Sequence, residues 1–196
     1  MGCSRARRWL SIVAAMAGML LAAQGAQAQA RLREDEFEPS GRNRAFLHGL
    51  IGPAALIGVG LATGVDQHRT SPGEWGDGGK GLARRAGSNI SWLIVGQSVN
   101  HGLAILGNRS TEYHQCGCNG LGRRVGHAFV ETVTAVDPEG RRGFAYPRFG
   151  GALAGAFTPK LWRPGLTTGR AVANAGGTLL FSFLANATRE ALRWSW

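Results

Sequence analysis

A chain of 196 residues is long enough for one domain with a substantial core and too short to expect two. Its formal charge of +10 is carried in part by separated pairs, Arg84-Arg85, Arg123-Arg124 and Arg141-Arg142, and not by the one dense footprint of a nucleic-acid binder. The 31 glycines follow no collagen-like period; they lie inside apolar segments, where glycine is justified by the close approach of two backbones.

The chain begins with a positive stretch, Arg5, Arg7 and Arg8, followed by an apolar run from Trp9 to Ala23 broken by Ser11 and Gly18. Ala26-Gln27-Ala28-Gln29-Ala30 then supplies small residues. This is the three-part layout of a secretory signal, with cleavage placed after Ala30 and, as a neighbouring alternative, after Ala28. The apolar run is short of the about 20 residues that a retained anchor needs. Arg7-Arg8 raises a twin-arginine route, which Trp9-Leu10-Ser11 fit only loosely. Cys3 lies upstream of the run, where a lipoprotein cysteine would not sit. The expected organisation is a signal peptide over 1–30, a polar leader over 31–44 and a single helical domain over 45–196. The chain is then an exported bacterial protein of the periplasm or the membrane-associated cell envelope. Its arginine pairs would suit membrane lipids with anionic head groups or envelope polymers, or form an ordinary arginine-rich surface. No nucleic-acid partner is expected there.

Residues 45–65, AFLHGLIGPAALIGVGLATGV, contain one ionisable group, His48. Pro53 should start or kink a helix, and Gly60 and Gly64 share one helical face. Length suits a membrane span as well as a buried helix. Turn residues fill 66–81, where Trp75 should pack down onto the domain. A second apolar segment, 82–107, carries Gln97, Asn100 and His101 at positions that a helix places on one face. That face is either a polar pocket or an interhelical hydrogen-bond network. A loop over 108–121 precedes 122–136, which reads as a helix through Val125, Phe129, Val133 and Val136 or, through VETVTAV and Asp137-Pro138-Glu139-Gly140, as a hairpin. Residues 141–148 read as a basic loop. Gly151 and Gly155 repeat the small-residue spacing within 149–157. The last segment, 166–193, has a small stripe at Gly169, Ala173 and Gly177, an apolar centre and charges at its end that suit a helix C-terminus. Trp194-Ser195-Trp196 then reads as an interfacial anchor or a tail folded on the core.

Cys116-Gly117-Cys118 is the sharpest local feature. An oxidising compartment favours a disulfide, and a turn at Gly117 brings the two within range. A strained bond would be more easily reduced, which admits a redox role. Adding His114 and His127 makes a candidate metal set, tighter than standard zinc spacings. Arg123, Arg124 and His127 could hold a phosphate, but nothing completes a phosphoryl-transfer set, and a satisfied helix histidine is the plainer reading. No dinucleotide, P-loop, zincin or nucleophile-elbow pattern occurs, and no cofactor is expected.

The run Pro72-Gly73-Glu74-Trp75-Gly76, the later Arg84 and Ser88, the loop of Tyr113, Cys116 and Cys118, Arg124-x-x-His127-Ala128 and Arg148-x-x-Gly151-Ala152 resemble a group of small exported bacterial proteins of unassigned function. The resemblance covers roughly residues 70–165. It implies a helical domain with aromatic and arginine anchors in its loops, and it implies no activity.

These readings give an all-α bundle of four or five Gly/Ala-rich helices, at 45–65, 82–107, 122–136, 149–157 and 166–193. An eight-stranded outer-membrane barrel is the alternative, and the segments lack its alternation. The expected function is membrane-associated, structural or interactive. The alternative is a periplasmic enzyme or a metal- or ligand-binding protein working through the region of His101 or of His114, Cys116, Cys118 and His127. A mean hydropathy of −0.09 is low for a chain built mainly of membrane spans.

Overall fold

The computed structural model describes residues 36–192, so the signal-peptide reading, Trp194-Ser195-Trp196 and residues 31–35 of the leader lie outside the described residues. Helices α1 (Pro39–Ile51) and α2 (Pro53–His68) form one run broken at Gly52. Pro53 has no N–H to give and fits the first turn of α2, while the Gly52 N–H bonds the His48 carbonyl and closes α1. After a 3-10 turn at Gly73–Trp75 come α3 (Gly79–Leu106), α4 (Leu121–Val133), strands β1 (Thr134–Val136) and β2 (Arg142–Phe144), α5 (Tyr146–Phe157), a 3-10 turn at Thr158–Leu161 and α6 (Thr168–Leu192).

The fold is all-α, as expected. The strands among the described residues are one short antiparallel pair, with Thr134 opposite Phe144 and Val136 opposite Arg142, and the barrel alternative falls. The two readings of 122–136 are both realised in part: the helix runs through Val133, and the chain then turns extended at Thr134. Gly140, at φ 81°, makes the hairpin turn, and Asp137 accepts the Arg141 N–H across it. The expected basic loop at 141–148 is therefore β2 and the start of α5, and helix α1 begins at Pro39, inside the expected leader.

The interior is made by α3, α5 and α6, where Ala152, Ala156 and Ala175 meet Trp92 and Leu179. Glycine permits this spacing at two positions. A Cβ on Gly151 would lie 2.5 Å from the Gly96 carbonyl oxygen and 2.7 Å from Asn100 Cβ, and one on Gly155 would lie 2.8 Å from the Trp92 carbonyl. The other small-residue stripes behave differently. Gly60, Gly64, Gly169 and Gly177 face open space, and α6 turns Ala171 and Ala175 inward instead.

Burial runs opposite to the usual order. The buried apolar residues are alanines and Val136, whereas the largest fully buried side chains are Arg85, Glu190 and Pro147. Large apolar side chains lie outside: Ile51 is 70% exposed, Leu61 60%, Ile94 47% and Leu180 56%. They cover α1–α2, α3 and α6, the three longest helical runs.

The glycine geometry predicts unequal effects of one substitution. Gly151→Ala should lower stability by about 1–3 kcal/mol through overpacking. Gly60→Ala, helical and unobstructed, should be neutral or stabilising by up to about 1 kcal/mol. Denaturation of the two variants in the same medium checks this, and equal losses would contradict the close α3–α5 contact.

Candidate functional site

The polar residues of α3 do not converge. His101 stacks on Phe46 of α1 with ring centroids 4.7 Å apart, and Gln97 lies against Gly49 of the same helix. Asn100 turns to α5, its Cβ against Gly151 and its Oδ1 buried without a hydrogen-bond partner among the described residues. The three therefore divide between two interhelical contacts. Two shallow, open grooves lie elsewhere, on α1 and α2, around Leu47, His48 and Ile51 and around Leu61, Val65 and His68.

Two ends of the bundle gather the charges. At the first, Arg85 is fully buried and donates to the carbonyls of Ser71, Pro72 and Gly76 and to Gln67 Oε1. Arg163 pairs with Asp66 at 2.9 Å, and the Trp162 indole N–H meets Ser88 Oγ. Asn89 reaches Thr63 and Asp66. This end is a loop tied down by guanidinium groups, with Trp75 half-buried in its 3-10 turn. Water is replaced by N–H donors, so the loop's carbonyls stay satisfied.

The opposite end holds the densest titratable cluster. His114 lies between two carboxylates, with Nε2 2.6 Å from Glu36 Oε1 and Nδ1 3.6 Å from Glu131 Oε2. Glu131, 2% exposed, also faces the Arg142 guanidinium at 2.5 Å. The carboxylates of Glu131 and Glu36 hold the His114 imidazolium up to about 9 from an ordinary 6.5, against the opposing effect of burial. Burial pushes Glu131 up, but His114 and Arg142 outweigh it and hold the carboxyl below its usual range. Glu112 is raised, by burial first and then by Glu36. His127 Nε2 lies 2.8 Å from the His114 carbonyl, which can only accept, so that nitrogen carries the proton.

A second buried acid, Glu190, anchors the cysteine loop. Its Oε1 accepts from the Tyr113 hydroxyl and the Cys116 N–H, each at 2.7 Å. Burial and this carboxylate push the Tyr113 phenol upward. Arg124 bonds the carbonyls of Cys118 and Glu190. Cys116 and Cys118 are joined through their sulfurs with Cα atoms 5.2 Å apart. His114 and His127 thus stand beside the pair but are engaged by carboxylates and a carbonyl. No group of three or more His, Cys, Asp or Glu side chains disposed to hold a metal occurs among the described residues.

Arg148 completes this end, donating to the carbonyls of Thr111, Glu131 and Thr132. It closes the C-terminus of α4, where helix carbonyls lack intrahelical donors. Within the arginine pairs, Arg85 is buried and Arg124 half-buried, as described, while Arg84, Arg123, Arg141 and Arg142 are exposed, with Arg141 reaching Asp137 and Arg142 reaching Glu131. No protein-family model matches the chain, and no curated protein or solved structure is significantly similar to it.

Sequence reasoning missed Glu36, Glu131, Glu190, Tyr113 and Arg142 as one cluster. One signal was available: Glu131 is the sole acid of α4 and Glu190 the sole acid of α6. A lone acid in an otherwise acid-free helix calls for a cationic or hydrogen-bonding partner.

The His114 pairing sets a pH dependence. Its folded pKa is raised, so its stabilising contribution is complete below about 6.5 and is lost as pH rises through about 9. Thermal unfolding from pH 6 to pH 10 should show a fall in Tm across that window, and His114→Gln should flatten it. A wild-type Tm unchanged across the window would contradict the two-carboxylate clamp.

Proposed function

We propose that this chain is an exported protein of the bacterial cell envelope that associates with the membrane through its apolar helical faces and serves a structural or interaction role there. The observation that carries the reading is the Pro39–His68 run. It spans 30 residues, and its most apolar stretch of 18 has a mean hydropathy of 1.8 with only 6% of it buried. A soluble core helix would bury that window.

The charge distribution supports the same reading. Apart from histidine, no ionisable residue interrupts Ala45–Val65, Ala86–Asn108 or Ala171–Thr188. At 1.5 Å per helical residue these stretches are about 27–34 Å long, and a bilayer's hydrocarbon layer is about 30 Å thick. The charged clusters lie beyond them at the two ends. Small residues between helices and polar groups turned inward are the packing means available where surroundings are apolar. Such a body suits a scaffold or an interaction partner within the envelope, whose specificity would reside in the polar ends.

Fractionation tests this. The protein should sediment with membranes and remain there after an alkaline carbonate wash, leaving only with detergent. Recovery in the soluble fraction without detergent would overturn the proposal.

A further inference from the structure

We propose that Cys116 and Cys118 form a reversible thiol–disulfide exchange site for external thiols. The proposal rests on the geometry of the loop, not on membrane association. A bond between residues two apart closes a very short loop and so constrains the unfolded chain little. The loop is held without it. Glu190 grips the Cys116 N–H and the Tyr113 hydroxyl, Arg124 grips the Cys118 carbonyl, and His127 grips the His114 carbonyl. Opening the disulfide would leave all four contacts in place, so the oxidised and reduced forms share one fold.

The surroundings also favour the chemistry. Both cysteines are half-exposed, flanked by exposed Gln115, Gly117 and Asn119, so a small thiol can reach them. The Cys118 N–H points at Cys116 Sγ from 3.2 Å, a donor that stabilises negative charge on that sulfur. The N-terminus of the 13-residue α4 begins three positions after Cys118, and the Arg124 guanidinium lies on the Cys118 carbonyl. Glu190 is fully buried against Cys116 and its Oε2 has no partner among the described residues.

The step follows. An external thiolate attacks Cys118 Sγ, the S–S bond breaks, and Cys116 leaves as the stabilised thiolate and is protonated. A second external thiol attacks the mixed disulfide, releasing the external disulfide and the Cys118 thiol. Two thiols lose two electrons and two protons, and the cysteine pair gains both. The reverse sequence reduces an external disulfide.

The test uses the full chain carrying Cys3→Ser, equilibrated in glutathione buffers from fully oxidised to fully reduced. Free thiols are alkylated and counted by mass, with circular dichroism recorded in parallel. The expected result is a shift from complete disulfide to complete dithiol within the series, with unchanged helicity. A pair that stays bonded at the reduced end, stays open at the oxidised end, or opens only as helicity is lost would overturn the proposal. Single variants test the assigned leaving sulfur. At neutral pH, Cys116 in Cys118→Ser should alkylate about tenfold faster than Cys118 in Cys116→Ser, because the thiolate is the reacting form. Equal rates would overturn that assignment.

Discussion

Arg148 gathers the carbonyls of Thr111, Glu131 and Thr132, and one whole end of the bundle is arranged around that guanidinium. It joins the end of α4, the loop after α3 and the start of α5. Arg85 does the same at the opposite end with Ser71, Pro72 and Gly76. The constraint is general: a carbonyl taken away from water must find a donor, and leaving it without one costs about 1–3 kcal/mol. Arginine answers it with five N–H groups in a fixed fork. Aligning loop carbonyls on two guanidinium groups, Arg85 fully buried and Arg148 half-buried, fixes both ends of the molecule without a large apolar core.

The rest of the architecture follows from that arrangement. With charges drawn inward at the ends, the middle of the bundle needs only small residues to pack, and Gly96, Gly151 and Gly155 let α3 and α5 approach closely. Leucine, isoleucine and phenylalanine are then left on the outer faces of α1–α2, α3 and α6. In water such an arrangement would leave large apolar side chains exposed along all three runs. Placed in lipid, the same faces are matched to their surroundings, which is the basis of the proposed envelope role.

The helices were legible because each is an apolar stretch bounded by charge or by Gly and Pro. Pro53 marked the break between α1 and α2, and the segments at 82–107 and 166–193 lie within a few residues of α3 and α6. Facing was less legible. Gly169, Ala173 and Gly177 suggested one packing stripe, yet Ala171 and Ala175 are the buried positions, because alanine and glycine at neighbouring registers are equally small. Gln97, Asn100 and His101 do share a helix, but α1 and α5 flank it on different sides and divide them. The charge cluster was hidden for another reason: His114 meets Glu36 across 78 positions and Tyr113 meets Glu190 across 77, and no local pattern encodes such pairs.

The most direct test of the central claim is the environment of the outer faces in membranes. Nitroxide labels at Leu61, Ile94 and Leu180 would be compared with labels at Arg69 and Lys160. Collision with dissolved oxygen and with a water-soluble nickel complex reports whether a label meets lipid or water. The account predicts high oxygen and low nickel accessibility at the first three positions, and the reverse at Arg69 and Lys160. Nickel accessibility at Leu61, Ile94 and Leu180 equal to that at Arg69 would contradict it, as would exclusion of both reagents from those three faces.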